Sequence, residues 1–530
     1  MRPRDLGFLC VAVGIALATG RGVIRSASPE REPRAAVPPR PRVSARVDQE
    51  FRALWSAQGI KPAPPAPELA VMRRLNLALT GAVPSLEEIR RFEAIEPGRR
   101  VDAWVEELLQ SRRAADYLAE RFARALVGTE DGPFLVFRRR RFVAWLSDAL
   151  LENRPYPAIV RELIAERGVW TDHPAVNFVT VTRDEKTERP NPERLAARVS
   201  RAFLGARIDC AQCHDHPFQP WKQADFRGLA AFFGGVHSNL RGVTDGRNDY
   251  QPDDRKTREP ETVAPAVPAR PDLLPVDGPP RKRLAAWVVD PRNPYFGRAI
   301  ANRAWAILFG RPLVEPVDDI PSIDEPPKTL DLLADDFVEH GGDLRRLLRA
   351  IAATETFRRD SLDVPGESAA DDESWAAFPM TRLRPEQVAG ALGQSASLET
   401  IGPRSHWLVR LGTYTEGNDF VRRYGDAGED EFTPRGGTLP QRLLLMNGDL
   451  VEKRTKNNLG NASRRLAMLA PDDAKLVELA YLCVLTRRPS PEEAAHFAPR
   501  FKGVFGDARA KLASDLLWTL LNSIESSWNH

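Results

Sequence analysis

Apolar residues recur three and four positions apart along most of the chain. Leu69, Met72, Leu75 and Leu79 set the pattern, which predicts one buried face of a helix. "GAVPSLEEIRRF" opens a second helix, with Ser85 as its N-cap and Glu88 completing a capping box. "RVDAWVEELLQS" and "AADYLAERFARALVG" keep the same period. In "FVAWLSDALLENRPYPAIVRELIAE" Pro155 divides two helices, because it lacks an N–H and biases Arg154 away from helical angles. "RLAARVSRAFLGARID" and "QADFRGLAAFFGGV" continue the helical pattern, the latter stopped by Gly234-Gly235. Residues 236–282 break it, with eight prolines between Pro252 and Pro280. It resumes in "RLAAWVVDPRNPYFGRAIANRAWAILFG", "GDLRRLLRAIAATETFRRD", "RLRPEQVAGALGQ" and "KLASDLLWTLLNSIESSW". Ser490, Pro491 and Glu493 mark one more helix start. The expectation is a mostly α protein. Two helical domains, 46–235 and 283–530, are joined by a Pro-rich irregular linker at 236–282. Any sheet is confined to "VNFVTVTRD" near residue 180.

The first residues follow different rules. "MRPRDLGFLCVAVGIALATG" has a basic start at Arg2 and Arg4, an apolar run from Leu6 to Leu17, and a small-x-small site at Ala16-Leu17-Ala18. This predicts a signal peptide over 1–18, with an uncleaved anchor as the alternative, and an exported protein of the periplasm or cell surface. Residues 19–45, dense in proline and arginine, predict a disordered linker. No membrane span is expected beyond the N-terminal segment.

Composition narrows the function. Of 530 residues, 76 are basic and 73 acidic, a net charge of +3 that gives no reason to expect nucleic acid as a partner. Arg138–Arg141 reads as a solvated helix face. Asp318, Asp319 and Glu315 form an acidic group that could hold a cation or saccharide hydroxyls, or pair with arginines. Trp221, Trp305 and Trp407 could stack on sugars, with burial as their default. The sequence contains no G-x-S-x-G elbow, H-E-x-x-H, phosphate loop or dinucleotide fingerprint, so no catalytic residue is identified.

The chemistry concentrates in "RIDCAQCHDHPFQPW". The chain has 4 cysteines and 8 histidines, and Cys210, Cys213, His214 and His216 fall within seven positions. Cys10 lies in the apolar leader and Cys483 in an apolar run, both read as packing residues. Cys210-Ala-Gln-Cys213-His214 matches C-x-x-C-H, the pattern of c-type haem attachment. Two thiols three positions apart can form thioethers to one porphyrin edge, and the next histidine can supply a nitrogen to iron. Met446, His237 and His173 are candidates for the opposite axial position, and Asp215 for a neighbour that orients an imidazole. The competing readings are zinc held by Cys210, Cys213, His214 and His216, or a Cys210–Cys213 disulfide. Adjacent Cys213 and His214 are strained as ligands of one zinc ion. The two function classes are therefore an exported haem c protein with an electron-transfer or redox accessory role, and a non-enzymatic scaffold with zinc or a disulfide that binds a secreted enzyme or glycan.

"VSRAFLGARIDCAQCHDHPFQPWKQADFRGLAAFFGGV" resembles the signature of planctomycete cytochrome domain two, and "LNLALTGAVPSLEEIRRF" and "ENRPYPAIVREL" resemble its upstream blocks. "DPRNPYFGRAIANRAWAILFGRPLVEPVDDI", "ATETFRRDS", "RLRPEQVAGAL", "TLPQRLLLMNGDLV" and "LLWTLLNSIESSWNH" resemble its companion, planctomycete-specific domain one. The resemblance implies export and a neighbouring secreted sulfatase-like partner, and it implies no particular activity. Many such proteins carry a preceding cytochrome c domain. This sequence departs there, having no second C-x-x-C-H, so any haem belongs at Cys210.

Overall fold

A computed structural model describes residues 37–129, 139–184, 189–239, 241–247, 250–252, 262–320, 326–361, 374–403, 405–426, 428, 432 and 436–530. The signal peptide, most of the 19–45 linker, Cys10 and Arg138 lie outside the described residues, as does the side chain of Trp407. Helices dominate, and no described helix is long and apolar enough to cross a membrane.

Local signals act where the sequence places them. The Ser85 hydroxyl accepts from the Glu88 N–H at 3.0 Å while the Glu88 carboxylate accepts from the Ser85 N–H at 2.9 Å. Ser490 and Glu493 close the same reciprocal pair. Pro155 separates the helices Arg139–Leu151 and Tyr156–Ala165. Of the basic cluster, Arg139 forks onto Glu120 and Arg141 donates to the Thr171 carbonyl, a paired helix face.

Three expectations change. The segment near residue 180 is helical over Asn177–Thr180, not extended. Phe178 and Val179 are buried on every side, and a short run buried all round carries no period that separates strand from helix. The described strands lie elsewhere, in two antiparallel pairs. One is a hairpin, Val236–Asn239 with Gly242–Asp245, inside the segment read as irregular linker. The other joins Thr381–Arg382 to Trp528–Asn529. The hairpin is tied down at Gly242, with φ of 87°, where a Cβ would fall 2.0 Å from the Gly168 carbonyl. Asp245 then links Arg281 and Arg167, each at 2.6 Å. Finally, the first described helix begins at Arg42, within the segment assigned to the disordered linker, because Val43 and Val47 enter the core.

The two halves share one continuous hydrophobic core. Helix Arg42–Gln58 packs on Lys328–Glu339, Glu68–Thr80 on Pro294–Phe309, and Tyr156–Ala165 on Pro280–Val288. At the junction Trp305 stacks on Phe309 at 4.3 Å, meets Phe51 from the first half at 6.0 Å and stands edge-on to Trp375 at 5.2 Å. Polar groups cross the same seam. Ser44 donates to the Ala350 carbonyl at 2.8 Å, and Arg121 pairs with Glu386 at 2.7 Å. Burial pushes the Glu386 carboxyl up, but Arg121, Arg384 and Arg124 outweigh it and hold it at about 2.

Asp48 behaves oppositely. Burial raises its carboxyl to about 6, although it accepts from the Glu355 N–H at 2.8 Å. A folded value above the unfolded one makes this group favourable below about pH 4, and that contribution is lost as pH rises through about 6. Asp48→Asn keeps the acceptor and removes the charge. After discounting for partial exposure, the variant is expected to be about 1 kcal/mol more stable than the native chain near pH 7.5 and no more stable near pH 4. Urea unfolding at the two pH values measures the difference, and an equal gain at both would contradict the assignment.

Candidate functional site

The cysteine loop begins where a helix is forced to stop. Pro192–Val199 runs into a π turn, Ser200–Leu204, closed by Gly205 in the left-handed region at φ 59°. A Cβ there would approach Ile320 Cδ1 to 3.1 Å, so the position has little room for a side chain. The chain then makes a 3-10 turn, Asp209–Gln212. Ile208 and Ala211 are buried as anchors, and Cys210 and Cys213 face solvent between and beside them as free thiols.

Every flank of the loop is held. Arg201 forks onto Asp209 through two 2.9 Å contacts. Gln212 donates to Glu193 at 2.7 Å, and the Tyr250 hydroxyl donates to the other Glu193 oxygen at 3.1 Å. The Gln223 amide donates to the carbonyls of Gln212 at 3.2 Å and Cys213 at 2.9 Å. From the second half, Asp318 pairs with Arg207 at 2.8 Å, and Asp319 accepts from the Arg207 N–H at 3.1 Å and the Gln219 amide at 3.2 Å. Two members of the acidic group are thus used on arginine and amide. The third, Glu315, pairs with Arg311 at 2.7 Å. Trp221 is buried against Tyr295, with its indole N–H donated to Gln219 at 2.7 Å, and Trp305 is core.

The two histidines differ in which nitrogen remains. His214 is exposed, and its Nδ1 lies 2.8 Å from the Asp215 main-chain carbonyl. A carbonyl only accepts, so Nδ1 carries the proton and Nε2 presents a lone pair. The orienting acceptor is therefore the Asp215 main chain. The Asp215 carboxylate accepts instead from the Gln223 N–H at 2.9 Å, at the start of helix Gln223–Ala231. His216 Nδ1 accepts from the N–H groups of Phe218 at 3.2 Å and Gln219 at 3.0 Å. Its proton is then on Nε2, the atom a zinc ion would need. Moving that proton to Nδ1 would set it against two donors. Among the described residues no group of three or more His, Cys, Asp or Glu stands ready for a metal ion.

The three opposite-face candidates have other neighbours. His173 sits 3.5 Å from Glu166, His237 lies in the hairpin opposite Thr244, and Met446 is on helix Leu439–Asn447 with its carbonyl taken by the Trp518 indole. Among the described residues no hydrogen bond or ring contact joins any of them to His214. Burial pushes the Cys483 thiol up to about 12, in keeping with a packing role.

Sequence reading missed Phe218, which is 92 % exposed beside the motif, flanked by exposed Pro217 and Pro220. It also missed Gln219 and Gln223 as the loop's fasteners. Their only signal was proximity to the motif.

Comparison with known families adds two matches. A model named PSCyt2, "Protein of unknown function (DUF1549)", matches residues 46–238. A second, PSD1, "Protein of unknown function (DUF1553)", matches residues 280–499. No curated protein and no solved structure matches the chain.

Proposed function

Starting from the fact that the chain belongs to the family in which a PSCyt2 domain is followed by a PSD1 domain, we propose that it is an exported haem c protein with an electron-transfer or redox accessory role. Cys210 and Cys213 would hold the group through thioethers, and His214 would supply a nitrogen to its iron. The observation that carries this reading is the pairing of two free, exposed thiols with an adjacent imidazole whose Nδ1 proton is already committed to a carbonyl. The residues fit the group. Attachment needs accessible sulfur, iron needs the Nε2 lone pair, and exposed Phe218, Pro217 and Pro220 offer an apolar edge for a macrocycle to cover.

When bound, the haem supplies a one-electron iron couple. The chain's own residues set how that couple is held. The Asp215 carbonyl draws on the His214 Nδ1–H, fixes the ring orientation and raises the basicity of Nε2. Gln223 grips the carbonyls of Gln212 and Cys213, so the loop resists bending as charge changes. The loop's exposure leaves an edge open to a partner, for which a redox protein or a secreted sulfatase-like neighbour is the proposed class. Export rests on the leader at 1–18. The scaffold reading with zinc loses one ligand of its four, because His216 Nδ1 is occupied as an acceptor.

A redox titration of protein produced with haem-ligation machinery tests the role. The expected result is a single reversible one-electron wave, with one iron and no zinc per chain. Attached haem without a reversible wave would end the electron-transfer reading, and one zinc per chain would replace it with the scaffold.

A further inference from the structure

Three consecutive residues of the second half, Asp318, Asp319 and Ile320, run past the base of the cysteine loop, which belongs to the first. The Ile320 N–H donates to the Gly205 carbonyl at 2.8 Å, and its Cδ1 occupies the space that a side chain at Gly205 would need. The Asp318 carboxylate takes the Arg207 guanidinium at 2.8 and 3.0 Å. Asp319 spans more of the chain than either. A single atom, its Oδ1, accepts from the Arg207 main-chain N–H at 3.1 Å and from the Gln219 side-chain amide at 3.2 Å. Arg207 stands before the cysteines and Gln219 after the histidines, so one oxygen closes the loop 208–218 at its base.

The loop's two arms are held from different places. The outgoing arm, 209–215, is fastened within the first half by Arg201, Glu193 and Gln223. Among the described residues, the hydrogen bonds that leave the return arm, 216–219, go to Asp319 and Trp221. The Gln219 amide is used at both ends, Nε2 on Asp319 and Oε1 accepting from the buried Trp221 indole at 2.7 Å. It cannot turn over without losing both bonds. The Gln219 main-chain N–H then donates to His216 Nδ1 at 3.0 Å, and the His216 N–H donates to the Trp221 carbonyl at 2.8 Å. Freeing the base of a loop restores conformations that closure had removed, so a contact there restrains every residue between.

We infer that Asp319 is a positioning residue for the cysteine loop: through one carboxylate oxygen the second half of the chain holds the return arm, with His216 and Phe218, against the stem that leads into Cys210. The inference deepens the haem reading above and rests on it for one readout only, the iron spectrum. In that reading the latch keeps the His214 imidazole and exposed Phe218 in one arrangement around the group.

Hydrogen–deuterium exchange of the haem-free full chain tests the latch directly. Asp319→Ala is expected to speed exchange of the Phe218 and Gln219 amides about tenfold or more, with helix Pro294–Phe309 unchanged. Asp319→Asn keeps an oxygen acceptor in the same place and is expected to exchange as the native chain does. Glu416→Ala breaks the pairs with Arg454 at 2.8 Å and Lys453 at 3.1 Å, none of them in the loop, and is expected to leave both amides unchanged. Gln219→Ala removes the other end of the latch and is expected to speed the Phe218 amide likewise, so the test holds even if Asp319→Ala does not fold. In haem-loaded protein, electron paramagnetic resonance is expected to give one set of ferric signals for the native chain and Asp319→Asn, and more than one for Asp319→Ala. Unchanged exchange in Asp319→Ala and Gln219→Ala, an equal rise in Asp319→Asn or Glu416→Ala, or a single ferric set in Asp319→Ala would each overturn the inference. A native chain without haem would end the haem reading and leave the exchange result to decide the latch alone.

Discussion

Trp305→Ala is expected to cost about 3–5 kcal/mol and to weaken both halves of the chain in one transition. Trp305 is fully buried and belongs to a run of rings that includes Phe51, Phe309, Trp375, Phe357 and Phe378. Removing it leaves a void that stacked neighbours cannot fill, since Phe309 and Trp375 are themselves 5.2 Å apart and held edge-on. Against a total stability on the order of 5–15 kcal/mol, this is a third or more. The effect reaches residues 46–238 because Phe51 touches Trp305 directly and because the core is continuous. Trp305→Phe should be far milder. The indole N–H has no partner among the described residues, so that change forfeits volume and no hydrogen bond. Urea unfolding followed by circular dichroism gives the test, with Leu439→Ala, 72 % exposed, as a control expected to move stability by less than about 0.5 kcal/mol. Two separated transitions, with only one shifted, would show that the halves are energetically independent.

Cys210→Ala with Cys213→Ala carries the largest functional effect: complete loss of covalently bound haem with the fold retained. The separation follows from exposure. Both sulfurs face solvent, and neither is joined in a disulfide, so the loop's own geometry comes from Ile208, Ala211, Gln223 and the Asp318–Asp319 clasp. Removing two exposed thiols should change unfolding free energy by less than about 0.5 kcal/mol. A double variant that still carries haem after denaturing extraction would place the attachment elsewhere. One that unfolds would show that the cysteines are structural.

Local chemistry was legible in the chain and distant pairing was not. Ser85 with Glu88, Ser490 with Glu493 and the break at Pro155 are all decided within four residues, and the structure has each of them where the sequence puts it. The spacing of Cys210, Cys213 and His214 is of the same kind. The errors concern partners far along the chain. The segment near residue 180 looked extended because its apolar run is short, and only its burial on all sides makes helix the answer. For Asp318 and Asp319 the sequence offers pairing with arginines beside a cation or sugar site, but only the fold names the partners, Arg207 and Gln219, about a hundred positions earlier. Arg73 and Arg74 sit in a helix whose apolar spacing implies an exposed polar face. They are nevertheless buried, because main-chain oxygens from the far end of the second half fold over them. The hairpin at 236–245 escaped notice inside a segment rich in proline and charge, its need for glycine at 242 visible only once Gly168 lies against it.

The most direct test of the haem assignment is acid–organic extraction of the native chain, made in a host with haem-ligation machinery, followed by its absorption spectrum and intact mass. The account predicts a Soret band that stays with the protein and a mass raised by one haem, both absent from the Cys210→Ala, Cys213→Ala chain. A colourless native protein of unmodified mass would contradict it.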